Sequence, residues 1–154
     1  MKTIYFDMDG TIADLYGQSN WLEDIRAERP CPYSNAQPLV NMQELTNICI
    51  QLQKYGYGIG IITWLSKESS ASYKAVVRQA KKEWLQEYFP IDFNSVHMVQ
   101  YGYSKRQAGG RAGDILFDDE QGNILGWSGK KNDRQSYLPK DIFKVLYKLL
   151  AQYE

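Results

Sequence analysis

Apolar residues recur along the chain in two patterns, short continuous runs and longer stretches at helical spacing. Runs rich in β-branched and aromatic residues predict strands, and they cover residues 3–6, 58–63, 95–101 and 115–117. Apolar residues three or four positions apart predict helices, and these cover residues 21–26, 40–55, 66–89 and 138–153. This alternation predicts an α/β fold, a three-layer, Rossmann-like and mostly parallel sheet with helices on both faces.

Glycine and proline mark the predicted loops. Three prolines between residues 30 and 38 make residues 15–40 mostly loop around the short helix. The Gly-rich segments 109–113 and 122–132 are also predicted to be loops, the second of them mobile. The length of 154 residues corresponds to a single domain, since domains most often hold about 100–150 residues.

Charge and composition exclude several classes of protein. The 18 basic and 18 acidic side chains cancel, so no net field attracts a polyanion or an anionic membrane. Two cysteines and one histidine supply neither a disulfide framework nor a structural zinc site. The N-terminus carries no secretory signal, and the most apolar run, residues 57–65, is too short to span a bilayer. We therefore expect a cytoplasmic protein with no membrane partner.

Four aspartates follow predicted strands and supply the main candidate chemistry. Asp7 and Asp9 follow the first strand, and Asp118 and Asp119 follow the strand at residues 115–117. Because the ligands of such sheets bind outside the carboxyl ends of the strands, these acids are expected at one edge. Clustered carboxylates repel each other, and a hard cation such as Mg²⁺ relieves that repulsion. Any single aspartate here is also explained as a turn former or helix cap.

Three further side chains are candidates for contacting a phosphate group. Thr63 ends its strand with a hydroxyl, and Ser66 is predicted to begin the next helix, whose N-terminal N–H groups attract anions. Lys105 is predicted to lie in a loop after the strand at residues 95–101. A rival pair, Lys81 and Lys82, falls in the middle of a predicted helix, where a solvated face is the expected environment. Lys105 is preferred because it follows a strand end near the four acids.

In order and distance these residues resemble the motifs of the haloacid dehalogenase superfamily of phosphohydrolases. The sequence Asp-Met-Asp-Gly-Thr at residues 7–11 is similar to the DxDGT motif that follows the first strand of that family. Thr63, Lys105 and residues 114–119 are similar to its second, third and fourth motifs. The resemblance covers residues 3–119, and within the superfamily the chain looks like small phage or bacterial members similar to 5′(3′)-deoxyribonucleotidases.

The resemblance implies a role for each motif residue. Asp7 would attack phosphorus and become an aspartyl-phosphate, while Asp9 would protonate the leaving oxygen and then activate water. Thr63 would hydrogen-bond the phosphoryl group, and Lys105 would pair with that group and with Asp7. The implied Mg²⁺ ligands are Asp7, the backbone carbonyl of Asp9, and Asp119 with Asp118 beside it or exchanged with it. The residues expected to bind substrate are Gly10, Thr11, Trp64 and Ser66.

The segment between the first two motifs implies a small cap or lid at about residues 15–40, within the single domain. A small cap leaves the site open. Four aromatic residues, three in this segment and one after Thr63, are expected either to stack on a nucleobase or to form the core of the cap: Tyr16, Trp21, Tyr33 and Trp64. The arginines that could meet further phosphate groups, or simply lie at the surface, are Arg26, Arg29 and Arg106.

The function predicted from these residues is Mg²⁺-dependent hydrolysis of a small phosphomonoester, a nucleotide in particular, through an aspartyl-phosphate. Two alternatives stay open: a non-catalytic module that binds Mg²⁺ and phosphate, and a phosphatase acting on nucleic-acid ends. A receiver domain is excluded by motif order, because receivers place their phosphorylated aspartate after a middle strand, which here ends in Thr63. Phosphotransfer to an alcohol and dehalogenation are minor branches.

Overall fold

The computed structural model describes all 154 residues of the chain. The strands are β1 (Thr3–Phe6), β2 (Ala13–Asp14), β3 (Gln37–Pro38), β4 (Gly58–Trp64), β5 (Ser95–Val99), β6 (Ile115–Phe117) and β7 (Gln135–Tyr137). The helices are α1 (Trp21–Arg26), α2 (Cys31–Ser34), α3 (Met42–Lys54), α4 (Ala71–Tyr88), α5 (Lys105–Ala108), α6 (Gln121–Ser128) and α7 (Ile142–Ala151), the last preceded by a 3₁₀ turn. None of these helices combines the length and the apolar character needed to cross a membrane.

Five strands form one parallel sheet in the order β5-β4-β1-β6-β7. In its register Phe6 of β1 lies between Ile61 of β4 and Phe117 of β6. The next residue along β1, Asp7, continues this pairing by donating its N–H to the Phe117 carbonyl at 2.9 Å. The carboxyl ends of the three central strands therefore lie side by side. The predicted parallel α/β architecture is confirmed.

Alternate residues of the central strands face two separate layers of helices. Ile4 and Phe6 pack in the main core with side chains of α3, α4 and α7. Tyr5 and Leu116 face the opposite side, where Trp127 of α6 completes a smaller cluster. Successive strand residues point to opposite faces, so a strand of apolar residues throughout needs helices on both sides. The predicted three-layer arrangement follows from this.

The helix after β4 begins later than predicted. It begins at Ala71, because Ser70 is its N-cap and the Ser70 hydroxyl accepts the Tyr73 N–H at 3.1 Å. Ser66 was predicted to begin this helix and instead lies in the loop before it, where it bonds to Ser69. Ser66 therefore offers no helix N-terminus to an anion.

The predicted mobile loop at residues 122–132 is wrong over most of its length, because α6 occupies Gln121–Ser128. Trp127 anchors this helix: it is fully buried and donates its indole N–H to the Asp114 carbonyl at 3.2 Å. Truncating a buried Trp to Ala typically lowers the free energy of unfolding by about 3–5 kcal/mol. That contribution outweighs the poor helix propensity of the two glycines in the segment.

Residues 15–40 contain more regular structure than the single short helix predicted. They include α1, α2 and β3, and β3 pairs antiparallel with β2. Tyr33 is buried in a cluster with Leu15 and with Tyr73 and Val77 of α4. The segment is thus fixed to one helix of the main domain, and its assignment as a small cap stays a prediction.

Candidate active site

Two of the four predicted aspartates lie next to each other at the ends of β1 and β6, bridged by a lysine. Asp7 is 6% exposed, Asp118 is 1% exposed and Lys105 is 3% exposed. The Lys105 ammonium donates to Asp7 Oδ1 at 2.7 Å and to Asp118 Oδ2 at 2.6 Å. Lys105 is the first residue of α5 and follows the N-cap Ser104, so the predicted loop position is corrected to a helix start.

The ionisation of these groups is governed by burial and by their mutual charges. Burial raises the pKa of Asp118 to about 6, the Asp7 charge adds to this, and Lys105 opposes it. Burial and the Asp7 charge likewise raise the pKa of Asp119 to about 7. Burial disfavours the Lys105 ammonium, yet Asp7 and Asp118 outweigh that effect and hold the lysine pKa above its ordinary value. The cluster therefore holds more negative charge than Lys105 offsets.

The donor set of this cluster fits a divalent metal ion. Asp7, Asp118 and Asp119 each place a carboxylate oxygen within 4.8 Å of the other two. Only oxygen ligands are present, as Mg²⁺ prefers, and Asp119 forms no salt bridge that would neutralise it. The carboxylate of Asp9, also predicted to hold metal through its backbone, lies outside this group.

Gly10 and Thr11 lie against the carboxylates rather than at the cavity surface. Thr11 Oγ1 is within hydrogen-bond distance of Asp7 Oδ2 at 3.0 Å and of Asp119 Oδ1 at 3.3 Å. Gly10 has a φ of +81°, which favours glycine, and a Cβ added there would overlap Asp119 Oδ2. Their contacts orient Asp7 and Asp119, and their predicted role in binding substrate stays a prediction.

Asp9 has a lysine partner of its own, on the opposite side of β1 from Lys105. Lys81 of α4 is 1% exposed and donates to Asp9 Oδ2 and to Thr63 Oγ1, at 2.7 Å in each case. Burial raises the pKa of Asp9, Lys81 opposes the shift and the Asp7 charge adds to it. The predicted solvated environment is therefore wrong for Lys81, although it holds for the exposed Lys82.

A cavity of about 430 Å³ opens onto these side chains. The predicted site residues that line it are Asp7, Asp9, Trp64, Ser66, Lys105, Asp118 and Asp119. Thr63 is fully buried and does not line the cavity. Its predicted contact with a phosphoryl group is therefore untested, and its observed contact is with Lys81.

Aromatic pairs form part of the cavity wall. Tyr16 and Trp21 meet edge to face with their ring centroids 4.9 Å apart. Trp64 and Tyr101 also lie 4.9 Å apart, at a tilt of 53°. Tyr33 also borders the cavity, but it is only 5% exposed and packs in the small core. The other rings are more exposed to the open space.

The candidate arginines divide in the same way. Arg29 is paired with Asp24 at 2.8 Å, and Arg106 is paired with Asp133 at 3.1 Å. Arg26 alone lines the cavity, so it is the one arginine of the three placed to meet a substrate.

Comparison with known proteins identifies the architecture. No protein-family model matches the chain, and no curated protein matches its sequence. The structure of D,D-heptose 1,7-bisphosphate phosphatase from B. bronchiseptica, complexed with magnesium and phosphate, is similar at 13% identity and a TM-score of 0.58, covering 99% of both chains. The phosphatase of the same name from Burkholderia thailandensis is similar at 12% identity and 0.54, covering 97% of this chain and 99% of that one. The chain shares the overall fold of these two phosphatases.

Within this fold, several of the residues singled out in the sequence lie at neighbouring strand ends. Asp7 follows β1, Thr63 lies in β4 and Asp118 follows β6, and these strands are neighbours. Lys105 reaches the same edge from α5. The topology thus brings together residues that are distant in the chain, since Lys105 and Asp7 are separated by 98 positions and Thr11 and Asp119 by 108.

Two residues of the site, Asn123 and Tyr101, were missed from the sequence, and the environment of a third, Lys81, was predicted wrongly. Asn123 donates to Asp118 Oδ2 at 3.1 Å and lines the cavity, but it falls in the segment predicted to be a loop. Tyr101 lines the cavity just beyond β5. Lys81 had a detectable signal, because it lies four residues after Val77 and three before Trp84, on the buried stripe of α4. A lysine on an apolar stripe indicates a buried partner of opposite charge.

Proposed function

We propose that the protein is a Mg²⁺-dependent phosphatase that hydrolyses a phosphomonoester through an aspartyl-phosphate on Asp7. The observation that carries this proposal is the setting of the Asp7 carboxylate at the end of β1. One oxygen contacts Lys105 and the other contacts Thr11, so the group is held in one orientation toward the cavity. The phosphatases that share the fold support the same reaction class.

The first step is attack by an Asp7 carboxylate oxygen on phosphorus. A bond forms between that oxygen and phosphorus, and the bond between phosphorus and the ester oxygen breaks. The leaving oxygen takes a proton from Asp9, two residues away and also lining the cavity. Burial raises the pKa of Asp9, which favours the protonated form that this step requires.

The second step regenerates Asp7. A water molecule gives a proton to the Asp9 carboxylate as its oxygen attacks phosphorus, and the bond between phosphorus and Asp7 breaks. Lys105 remains beside Asp7 throughout and offsets the negative charge that collects on the phosphoryl oxygens. Inorganic phosphate and free Asp7 are the products.

Magnesium would be held by Asp7 and Asp119, with Asp118 beside them and the Asp9 backbone carbonyl as the remaining predicted ligand. A bound Mg²⁺ stabilises charge on the transferring phosphoryl group. Thr11 contributes by holding Asp7 and Asp119 at a fixed separation.

The substrate that the cavity wall supports best is a nucleotide. Tyr16, Trp21, Trp64 and Tyr101 present aromatic surface beside the reacting residues, and every nucleobase offers a face that stacks on such rings. Arg26 adds a positive charge to the same wall. A sugar phosphate has no aromatic face to use these rings in the same way.

Phosphate release from a panel of phosphomonoesters tests the reaction. The panel contains deoxynucleoside 5′- and 3′-phosphates, glycerol phosphate and a 5′-phosphorylated oligonucleotide, each with and without Mg²⁺. We expect release that requires Mg²⁺ and is abolished in Asp7→Asn, with Asp92→Asn as the matched control on an exposed aspartate. Turnover retained in Asp7→Asn would refute the mechanism.

Two further outcomes separate the alternatives. Release from the oligonucleotide alone would indicate a phosphatase of nucleic-acid ends. Tight binding of phosphate and Mg²⁺ with no release from any ester would indicate a non-catalytic module. For the nucleotide itself, Tyr101→Ala should raise KM for a nucleoside monophosphate about tenfold, since one stacked base contributes about 1–3 kcal/mol, and leave KM for glycerol phosphate unchanged.

A further inference from the structure

We infer that Lys81 is a positioning residue for Asp9, which fixes the oxygen of that carboxyl group that carries the transferred proton. The inference rests on the proposed phosphatase function and deepens it. It assigns a second lysine to the site, on a different helix from Lys105 and paired with a different aspartate.

The ammonium of Lys81 contacts two hydrogen-bond acceptors and lies near an aromatic ring. It donates to Asp9 Oδ2 and to Thr63 Oγ1 at 2.7 Å each, and it lies 5.3 Å from the centroid of the Tyr33 ring. A lysine ammonium has three N–H donors and no acceptor, and two of these donors are taken by Asp9 and Thr63. The Thr63 contact and the Tyr33 ring restrict where the ammonium can lie, and through it they restrict the Asp9 carboxyl group.

That position decides how the Asp9 carboxyl group can carry a proton. Because Lys81 only donates, the oxygen that faces it accepts. In the acid form of Asp9 the C=O oxygen is the stronger acceptor, so Oδ2 takes that role and the proton is favoured on Oδ1. Asp9 lines the cavity whereas Lys81 does not, so the lysine contacts the carboxyl group on the side away from the cavity. As the bond between phosphorus and the ester oxygen breaks, the proton passes from Oδ1 to the leaving oxygen.

A purely structural role would not require a lysine at this place. The neighbours of Lys81 on the buried face of α4 are Val77, Ala80, Trp84 and Leu85, where an apolar side chain would pack without the cost of removing a charge from water. The Lys81 side chain is 2% exposed, and its ammonium contacts Asp9 and Thr63. The charge is retained at a site where only its polar contacts explain it.

The leaving group distinguishes this role from simple support of the fold. An alkyl ester, such as a nucleoside monophosphate, needs a proton on its leaving oxygen, whereas p-nitrophenolate departs unprotonated. We expect Lys81→Met to lower kcat for a nucleoside monophosphate or glycerol phosphate by about 100-fold, the effect of misplacing a reacting group. For p-nitrophenyl phosphate the loss should stay below about threefold. Lys82→Met, the adjacent exposed lysine, is the matched control and should change neither.

A double-mutant cycle shows whether Lys81 acts through Asp9. In an Asp9→Asn background, adding Lys81→Met should lower kcat for the alkyl ester by less than about threefold, because the acid it positions is already gone. Lys81→Gln keeps N–H donors at the same place and is measured in parallel, with circular dichroism on every variant. It should show the same dependence on leaving group at smaller magnitude, so a folding defect in Lys81→Met does not leave the inference unchecked.

Different outcomes would overturn the positioning role of Lys81 and the proposed phosphatase function. Equal losses on both classes of ester, or losses that add fully in the Asp9→Asn background, would overturn the positioning role while leaving the phosphatase intact. A wild-type protein that releases no phosphate, or whose turnover survives Asp7→Asn, would overturn the proposed function and the inference with it.

Discussion

Replacing Lys105 by methionine would leave Asp7 and Asp118 without the ammonium that both of them contact. The two contacts are 2.7 Å and 2.6 Å long, and the three side chains are 8% exposed or less. Solvent therefore screens this bridge very little. Removing one partner of a buried ion pair costs about 3–5 kcal/mol, because an uncompensated charge stays in the interior.

The expected loss is large enough to measure by thermal denaturation. For a chain of this size each kcal/mol lowers Tm by about 2–4 °C, so Lys105→Met should melt about 6–20 °C below the wild type. The comparison is made in EDTA at pH 8, followed by circular dichroism. Lys82→Met removes an exposed lysine of α4 and should shift Tm by no more than about 2 °C.

The pH dependence of this loss follows from the carboxyl groups left behind. Burial raises the pKa of Asp118 to about 6 even with Lys105 opposing it, so removing the lysine raises that pKa further. Below this pKa, Asp118 binds a proton and no longer carries a buried negative charge. The Tm difference between wild type and Lys105→Met should therefore shrink from pH 8 to pH 5. A loss equal to that of Lys82→Met, or one that does not shrink at pH 5, would refute the bridging role of Lys105.

Three other substitutions probe the same region. Burial raises the pKa of Asp119 to about 7, above its unfolded value, so its ionisation destabilises the metal-free fold as pH rises from about 4 through 7. Calorimetry in EDTA should therefore show a smaller fall in Tm between pH 5 and 8 for Asp119→Asn than for the wild type. Parallel curves of Tm against pH would contradict this. Gly10→Ala should weaken Mg²⁺ binding in calorimetric titration at least tenfold, because its Cβ displaces Asp119; unchanged affinity would contradict it. Glu28→Ala removes the acceptor of Ser70 N–H and Oγ–H and should speed hydrogen exchange at the Ser70 amide. Unchanged exchange would contradict this.

The parts of the site that depend on strand ends could be predicted from the sequence. Asp7 and Asp118 each follow a short apolar run, and parallel strands place their carboxyl ends at one edge. The structure places both there, with hydrogen bonds continuing the register one residue beyond β1. A buried strand has a strong local signal, so its last residue is located well enough to name the group that follows it.

The parts that depend on tertiary packing could not be predicted in this way. The helix α6 has almost no amphipathic pattern and contains Gly122 and Gly126, so its existence depends on the burial of Trp127. Lys105 begins a four-residue helix too short for any periodicity, and β7 pairs with β6 over three residues only. In each case the stabilising contacts come from residues distant in sequence, which a local pattern does not contain.

The charges of the site connect its stability to its proposed chemistry. When fully ionised, the four aspartates bring four negative charges to the ends of β1 and β6, and two lysines return two positive charges, Lys105 between Asp7 and Asp118 and Lys81 beside Asp9. The two charges left over are those that one divalent cation neutralises, and Asp119 is the acid without a salt bridge. Burial raises the pKa of Asp119, and the charges of Asp7 and Asp118 add to that shift. In the proposed mechanism the two lysines have different roles: Lys105 supports the acids that would attack phosphorus and hold metal, and Lys81 would orient the acid that moves the proton. A site neutralised by lysines alone would be more stable without metal and would have no place for Mg²⁺.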